Sequence, residues 1–185
     1  MPAAASSERH ALVPHPATPC EAVRALAVFV ERPTAALLTL QFRLEGDLEA
    51  LRIPEPRSPV RVDGLWQHTC FEAFIGQAGG KAYWEYNFSP SGAWAAYQFS
   101  GYREGMAPLM KGAAPVISAR AERDMLMVSV ATDLSWISRA TAAELVLGAA
   151  AVIETQARVL SYWALKHPAE KPDFHRAESF VVPLV

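Results

Sequence analysis

The stretch "YWEYNFSPSGAW", residues 83–94, contains the pattern that decides the fold. At the two-residue period of a β-strand, one face carries only large apolar rings, those of Trp84, Tyr86 and Phe88. The alternate positions combine a ring, a carboxylate and an amide: Tyr83, Glu85 and Asn87. The following "SPSG" has Pro and Gly where a type I turn favours them, so a hairpin is predicted here.

Short apolar runs of the same kind recur along the chain. They occupy residues 22–31, 35–46, 69–76, 93–102, 125–134, 144–154, 157–165 and 179–185. Many short strands without a long helical stripe predict an all-β antiparallel β-sandwich of the jelly-roll or immunoglobulin-like type. One short helix is predicted at 134–144, with Asp133 as its cap. Residues 1–21, rich in Ala, Ser and Pro, are interpreted as a loose lead-in to a single domain at 22–185.

The composition excludes several classes of protein. Of 185 residues 51% are hydrophobic, and 17 basic against 19 acidic residues argue against a nucleic-acid binder. Cys20 and Cys70 are expected as two reduced thiols, with a single bridge as the alternative. The longest apolar run, residues 145–153, is too short to span a membrane. Because no secretory pattern opens the sequence, we expect a soluble cytoplasmic protein.

The central strands are expected to form a meander in which Glu72 and Glu85 are direct cross-strand neighbours. This register pairs Phe71 with Tyr86 and Trp84 with Tyr97. Like charges placed opposite each other destabilise a sheet, so something must offset the repulsion. The candidates are an ion pair with Arg103, Lys166 or Arg176, a bound cation such as calcium, a shared proton, or a ligand that offers hydroxyl groups.

Carboxylates and amides flanked by aromatic rings suit a polyol, because a sugar has both hydroxyl groups and apolar C–H faces. The predicted binding floor consists of the four residues Glu72, Glu85, Asn87 and Trp94, with Tyr83 and Gln98 at its edge. Second choices, from the loops, are Arg103, Lys166, His175 and Arg176. We therefore expect non-catalytic binding of a carbohydrate or similar polyol on one sheet face.

Three segments together resemble the DOMON-like domains, which are related to carbohydrate-binding module family 9. They are "GLWQHTCFEAFIG", "YWEYNFSPSGAWAAYQFSGYREGM" and "YWALKHPAEKPDFHRAESFVVPL", within residues 62–185. The resemblance implies a two-sheet β-sandwich that binds a small ligand, sugar or haem, without catalysis; the most similar branch consists of stand-alone bacterial proteins. In sugar-binding members two tryptophans clamp the sugar, which here implies Trp94 with Trp66 or Trp163.

Other functions stay open at this point. Haem binding, or a redox-partner role, would use Met106 or Met110 with a histidine such as His167 or His175. A protein-interaction module could use the same sheet face. His68 and Cys70 have the spacing of a metal-ligand pair, but no second pair follows. Glu72 and Glu85 would suit a retaining glycosidase, yet no GxSxG, P-loop, GxGxxG or HExxH motif occurs.

Overall fold

The computed structural model describes residues 7–137 and 144–184. Over these residues the chain forms twelve strands and three short 3-10 helices. The strands are β1 (Glu8–Pro14), β2 (Val23–Thr34), β3 (Leu37–Gly46), β4 (Cys70–Gln77), β5 (Tyr83–Phe88), β6 (Trp94–Phe99), β7 (Ala107–Pro108), β8 (Val116–Glu122), β9 (Met125–Asp133), β10 (Leu145–Glu154), β11 (Leu160–Ala164) and β12 (Val182–Pro183). The 3-10 helices are Leu48–Ala50, Leu65–Gln67 and Ala177–Ser179.

All strands pair antiparallel in one continuous sheet with the order β7-β6-β5-β4-β10-β11-β1-β2-β3-β9-β8, and β12 lies beside β10. The sheet curls into a half-barrel whose two halves share a core, where the rings of Phe42 and Phe71 are 5.0 Å apart. The all-β antiparallel prediction is confirmed. A division into the two separate sheets of a sandwich is not, because the hydrogen-bonded path is unbroken.

Strand β1 makes this continuity. Its first part, Glu8–Leu12, pairs with β2, and its last two residues pair with Ala164 and Trp163 of β11. The description of residues 1–21 as a loose lead-in is therefore wrong for residues 8–14. The signal is weak in the sequence because Leu12 is the one fully buried residue of the strand.

The predicted register of the central strands is wrong in two different ways. Between β4 and β5 the pairing is displaced by two residues, so that Phe71 faces Phe88 rather than Tyr86. A two-residue displacement keeps every side chain on its predicted face. Between β5 and β6 the displacement is one residue, and Trp84 faces Gln98 rather than Tyr97.

The turn after β5 explains the second error. Ser89 N–H donates to the carbonyl of Ala93 at 2.9 Å, and Gly92 N–H donates to Ser89 at 3.0 Å. Gly92 has φ +90°, a left-handed conformation that glycine adopts without strain. The connection therefore includes Ala93 and has one residue more than predicted. Because side chains alternate along a strand, this reverses the two faces of β6.

Residues 138–143, most of the predicted helix, lie outside the described residues. Asp133 nevertheless accepts a hydrogen bond from Ser135 N–H at 2.8 Å. Cys20 and Cys70 are free thiols, as expected. Within the described part of the chain, no helix has the length and apolar character needed to cross a membrane.

The joining role of β1 is testable with two adjacent residues. Leu12→Ala should lower the free energy of unfolding by about 2–5 kcal/mol, since Leu12 is 3% exposed in the core. Val13→Ala should change it by about 0.5 kcal/mol or less, because Val13 is 46% exposed. Urea unfolding measures both. Equal, negligible effects would show that residues 8–14 are a loose segment after all.

Candidate functional site

Glu72 of β4 and Glu85 of β5 lie on the same face of the sheet, as predicted. Glu72 is paired with Asn87, and Glu85 with Phe74, so the two carboxylates are diagonal neighbours rather than direct opposites. They are 2% and 4% exposed, respectively. The face is therefore covered, and these are two acidic groups inside the protein.

The cover is the segment that follows β11, residues 165–181, here named the C-terminal strap. Phe180 packs on the face at Gly148 of β10, where an added Cβ would lie 2.6 Å from its ring. Phe180 also stacks on Phe74 of β4 at a centroid distance of 5.9 Å. Strap residue Phe174 is tilted against the same Phe74 ring at 6.3 Å. Aromatic packing thus holds the strap over the acidic face.

A cavity of about 310 Å³ lies between the strap and the sheet. Its charged or titratable lining includes Glu72, Glu85, Arg103 and His175. The rest of its wall is mainly apolar and consists of Trp66, Phe99, Met106, Val152, Tyr162, Pro172 and Phe174. Rings and carboxylates therefore surround one space, which is the composition expected of a small-ligand site.

The two carboxyl groups differ in how their oxygens are satisfied. Asn87 Nδ2 donates to Glu85 Oε1 at 2.6 Å. Glu72 Oε1 is buried and has no hydrogen-bond partner among the described residues. Burial, together with the negative charge of Glu85, raises the pKa of Glu72 well above its usual range. Burial also raises the pKa of Glu85, while the hydrogen bond from Asn87 opposes the shift.

His175 of the strap lies between the Tyr83 hydroxyl and the Glu85 carboxylate. Its Nδ1 lies 2.8 Å from the Tyr83 hydroxyl, and its Nε2 lies 3.9 Å from Glu85 Oε2. Burial and the nearby charge of Arg103 lower the pKa of His175 to about 4. The imidazole is thus neutral at pH 7, and it does not neutralise Glu85.

The rim carries the cations that the sequence analysis considered as partners of the glutamates. Asp173 Oδ1 accepts from Arg103 Nη2 at 3.0 Å, and its Oδ2 accepts from Arg176 Nε at 3.2 Å and from the Tyr102 hydroxyl at 2.5 Å. Both arginines therefore pair directly with Asp173 rather than with Glu72 or Glu85. Lys166 is exposed on the strap. The ion pair expected for the glutamates is not formed by these three residues.

The structure brings seven of the ten predicted residues to the cavity or to the hydrogen bonds that support it. Glu72, Glu85, Arg103 and His175 line the cavity, while Asn87, Tyr83 and Arg176 support it through the hydrogen bonds described above. Trp94 and Gln98 lie on the opposite face of β6, because of the longer turn. The Arg61 guanidinium lies over the Trp94 ring at 5.1 Å, and Gln98 is exposed.

Five ring-bearing or acidic residues at the cavity or its rim were not predicted. They are Phe99, Tyr102, Tyr162, Phe174 and Asp173. The correct register of β6 would have revealed Phe99, since it faces Tyr83 directly. Phe174 and Asp173 lie next to the predicted His175, but nothing local in the sequence shows that the strap folds back.

A larger trough of about 950 Å³ lies beside the 3-10 helix Leu65–Gln67. Its buried carboxylate, Glu154, is fully paired: Oε1 with Arg52 and Oε2 with His68, each at 2.8 Å. His68 of the predicted metal-ligand pair is therefore a partner of Glu154, and Cys70 lies in the interior. No cluster of three or more metal-ligating side chains occurs in the described ranges. Because its acidic group is satisfied, the trough is the weaker candidate despite its size.

No protein-family model and no curated protein matches this sequence. Among solved structures, the fold is similar to that of a Bacteroides uniformis ATCC 8492 protein called a "putative carbohydrate-binding protein". The TM-score is 0.69 at 13% identity, and the match covers 97% of this chain and 87% of the other. At this identity the similarity establishes a shared all-β fold along nearly the whole chain.

The raised pKa of Glu72 has a consequence for stability. The folded protein keeps a proton that the unfolded chain releases above about pH 4.5, so rising pH favours the unfolded chain and lowers the free energy of unfolding. Glu72→Gln removes this effect. We expect the variant to be more stable than the wild type at pH 8, with the difference shrinking toward pH 4.5.

Thermal unfolding at several pH values measures this difference. Glu55→Gln, at an exposed position, is the matched control and should follow the wild type. A Glu72→Gln protein that loses stability at pH 8 would indicate an ionised carboxylate with a favourable partner instead.

Proposed function

We propose that this chain is a non-catalytic ligand-binding protein whose cavity beneath the C-terminal strap takes a carbohydrate or similar polyol. The observation that carries the proposal is Glu72 Oε1, a buried oxygen without a hydrogen-bond partner that belongs to a cavity-lining residue. Buried polar atoms are normally satisfied, so an unsatisfied one beside an open volume indicates that a ligand supplies the missing bond. The DOMON-like relationship remains part of this proposal.

The shape and chemistry of the cavity support a sugar-sized ligand. A volume of about 310 Å³ is at the lower end of the range for small-molecule pockets. Trp66 and Phe99 provide faces on which the C–H side of a sugar ring can pack. The carboxyl groups of Glu72 and Glu85 provide hydrogen-bond sites for hydroxyl groups. The description of the Bacteroides protein agrees with such a ligand class.

Binding fits this arrangement better than glycoside hydrolysis does. A glycosidase needs two carboxyl groups that flank the bond to be cleaved. Glu72 and Glu85 project from adjacent strands on one face of the sheet, so both lie on the same side of a ligand above them. A sugar held there contacts a floor of acids rather than a pair of opposed groups.

Haem binding is a second candidate, because Met106 and His175 line the same cavity. The residues fit haem poorly. His175 already contacts Tyr83 through Nδ1, and its Nε2 faces Glu85 at 3.9 Å. Met110 is exposed, and His167 Nε2 is hydrogen-bonded to the Val13 carbonyl at 2.9 Å. A hemin titration that produces no spectrum distinct from that of free hemin would dismiss this candidate.

A pair of tryptophans tests the sugar site. A calorimetric screen of mono- and oligosaccharides first identifies a binding sugar. Trp66→Ala should then weaken binding at least tenfold, about 1.4 kcal/mol, because the ring lines the cavity. Trp94→Ala should leave the affinity unchanged, since Trp94 lies on the opposite face of the sheet.

A third variant addresses the acidic floor. Glu85→Gln should remove binding while the melting temperature changes little, because the amide oxygen can still accept the hydrogen bond from Asn87. If the fold fails instead, Glu85 is a structural carboxylate. If no sugar in the screen binds, the proposed function is wrong.

A further inference from the structure

The charges that face the cavity do not balance. Among the described residues of the lining, Glu72 and Glu85 are acidic, and Arg103 is the one permanent cation. The Arg103 guanidinium is hydrogen-bonded to Asp173 at 3.0 Å, so its charge is largely matched at the rim. His175, with its pKa lowered to about 4, is neutral at pH 7. The floor thus has two acids and no cation of its own, and Glu72 keeps a proton that a bound cation would displace.

Aromatic rings complete the surroundings of these acids. Trp66, Phe99, Tyr162 and Phe174 all line the cavity. Ring faces attract a cation within about 6 Å of their centres, and the attraction is larger where water is excluded. Carboxyl groups on the floor and aromatic rings in the wall together form a site that suits an ammonium group. A neutral hydroxyl group gains a hydrogen bond to these acids but no charge attraction, and an anion would be repelled by them.

We propose that the cavity selects a sugar that carries a free amino group, with the ammonium on the Glu72–Glu85 floor and the sugar ring against Trp66 and Phe99. This inference rests on the proposed function. An ammonium has three N–H donors. Glu72 Oε1 is the buried acceptor that lacks a donor, and Glu85 Oε2 lies 3.9 Å from the neutral His175. One ligand cation on this floor supplies a donor to both acids.

The amino sugar and its hydroxyl analogue differ in the binding free energy that each gains on this floor. Placing a cation inside a protein is costly unless it is paired and hydrogen-bonded. Here both acids are already buried, and an ammonium that displaces the proton of Glu72 supplies the positive charge that an ionised pair lacks. An ammonium adds charge attraction to its hydrogen bonds with the carboxylates, and a hydroxyl group at the same position supplies the hydrogen bond alone. The amino sugar therefore gains more than its hydroxyl analogue does at the same position.

The test compares matched sugars by calorimetry at pH 7. D-glucosamine, D-glucose and N-acetyl-D-glucosamine differ only in an amine, a hydroxyl group or an amide at one carbon, and the galactose and mannose series provide the same comparison. We expect at least one free amino sugar to bind tenfold or more tightly than its hydroxyl and N-acetyl analogues. Equal affinities, or tighter binding of the neutral sugars, would overturn this inference and leave the proposed function intact.

Two variants and one non-sugar cation separate the remaining outcomes. Glu72→Gln should reduce the affinity ratio between amino and hydroxyl sugar toward one, and circular dichroism checks that it is folded. Glu55→Gln, an exposed position outside this cavity, should keep the ratio. An unchanged ratio in Glu72→Gln would overturn the inference. Cyclohexylamine that binds when no sugar does would overturn the proposed function together with this inference.

Discussion

The burial of two acidic groups under one cover is the constraint on which this structure depends. Glu72 and Glu85 lie on the same sheet face, and water is largely excluded from both. In such surroundings a carboxylate without a partner is strongly disfavoured, so the face is stable only if protons, donors or a ligand compensate. Asn87 does so for Glu85, whereas Glu72 Oε1 stays without a partner in the protein.

The cover itself depends on the two ends of the chain. His15, just after β1, donates from Nε2 to the carbonyl of Ala169 in the strap at 3.2 Å. His167 of the strap returns a bond to the Val13 carbonyl. Strand β1 thus connects the two halves of the sheet and also anchors the start of the strap. Phe180 anchors the other end, because the missing side chain of Gly148 leaves room for its ring.

The arginine side chains near the cavity pair with an acid at its rim and not with the two glutamates on its floor. Asp173 collects Arg103 and Arg176 at the entrance, where Tyr102 also donates to it. Burial acts to raise the pKa of Asp173, but hydrogen bonds from Tyr102, Arg103 and the His175 N–H outweigh it and lower that pKa. The glutamates consequently share the cavity with Arg103 without a direct ion pair to it, although its charge opposes the rise of both their pKa values. The same acids in direct contact with either arginine would form a satisfied internal ion pair, as Glu154 does with Arg52.

The recurrence of short apolar runs by itself determined the all-β class, and the alternation in 83–88 placed Glu85 and Asn87 on the face opposite the large rings, because a strand has a period of two. The predicted pairing of β4 with β5 also placed Glu72 on this face, since a displacement of two residues leaves each side chain on the same face of the sheet. The tertiary structure alone decided the faces of β6, through one extra residue at the Gly92 turn, and the return of the strap over the carboxylates. Those features depend on backbone conformation and contacts between residues distant in the sequence, which local periodicity does not encode.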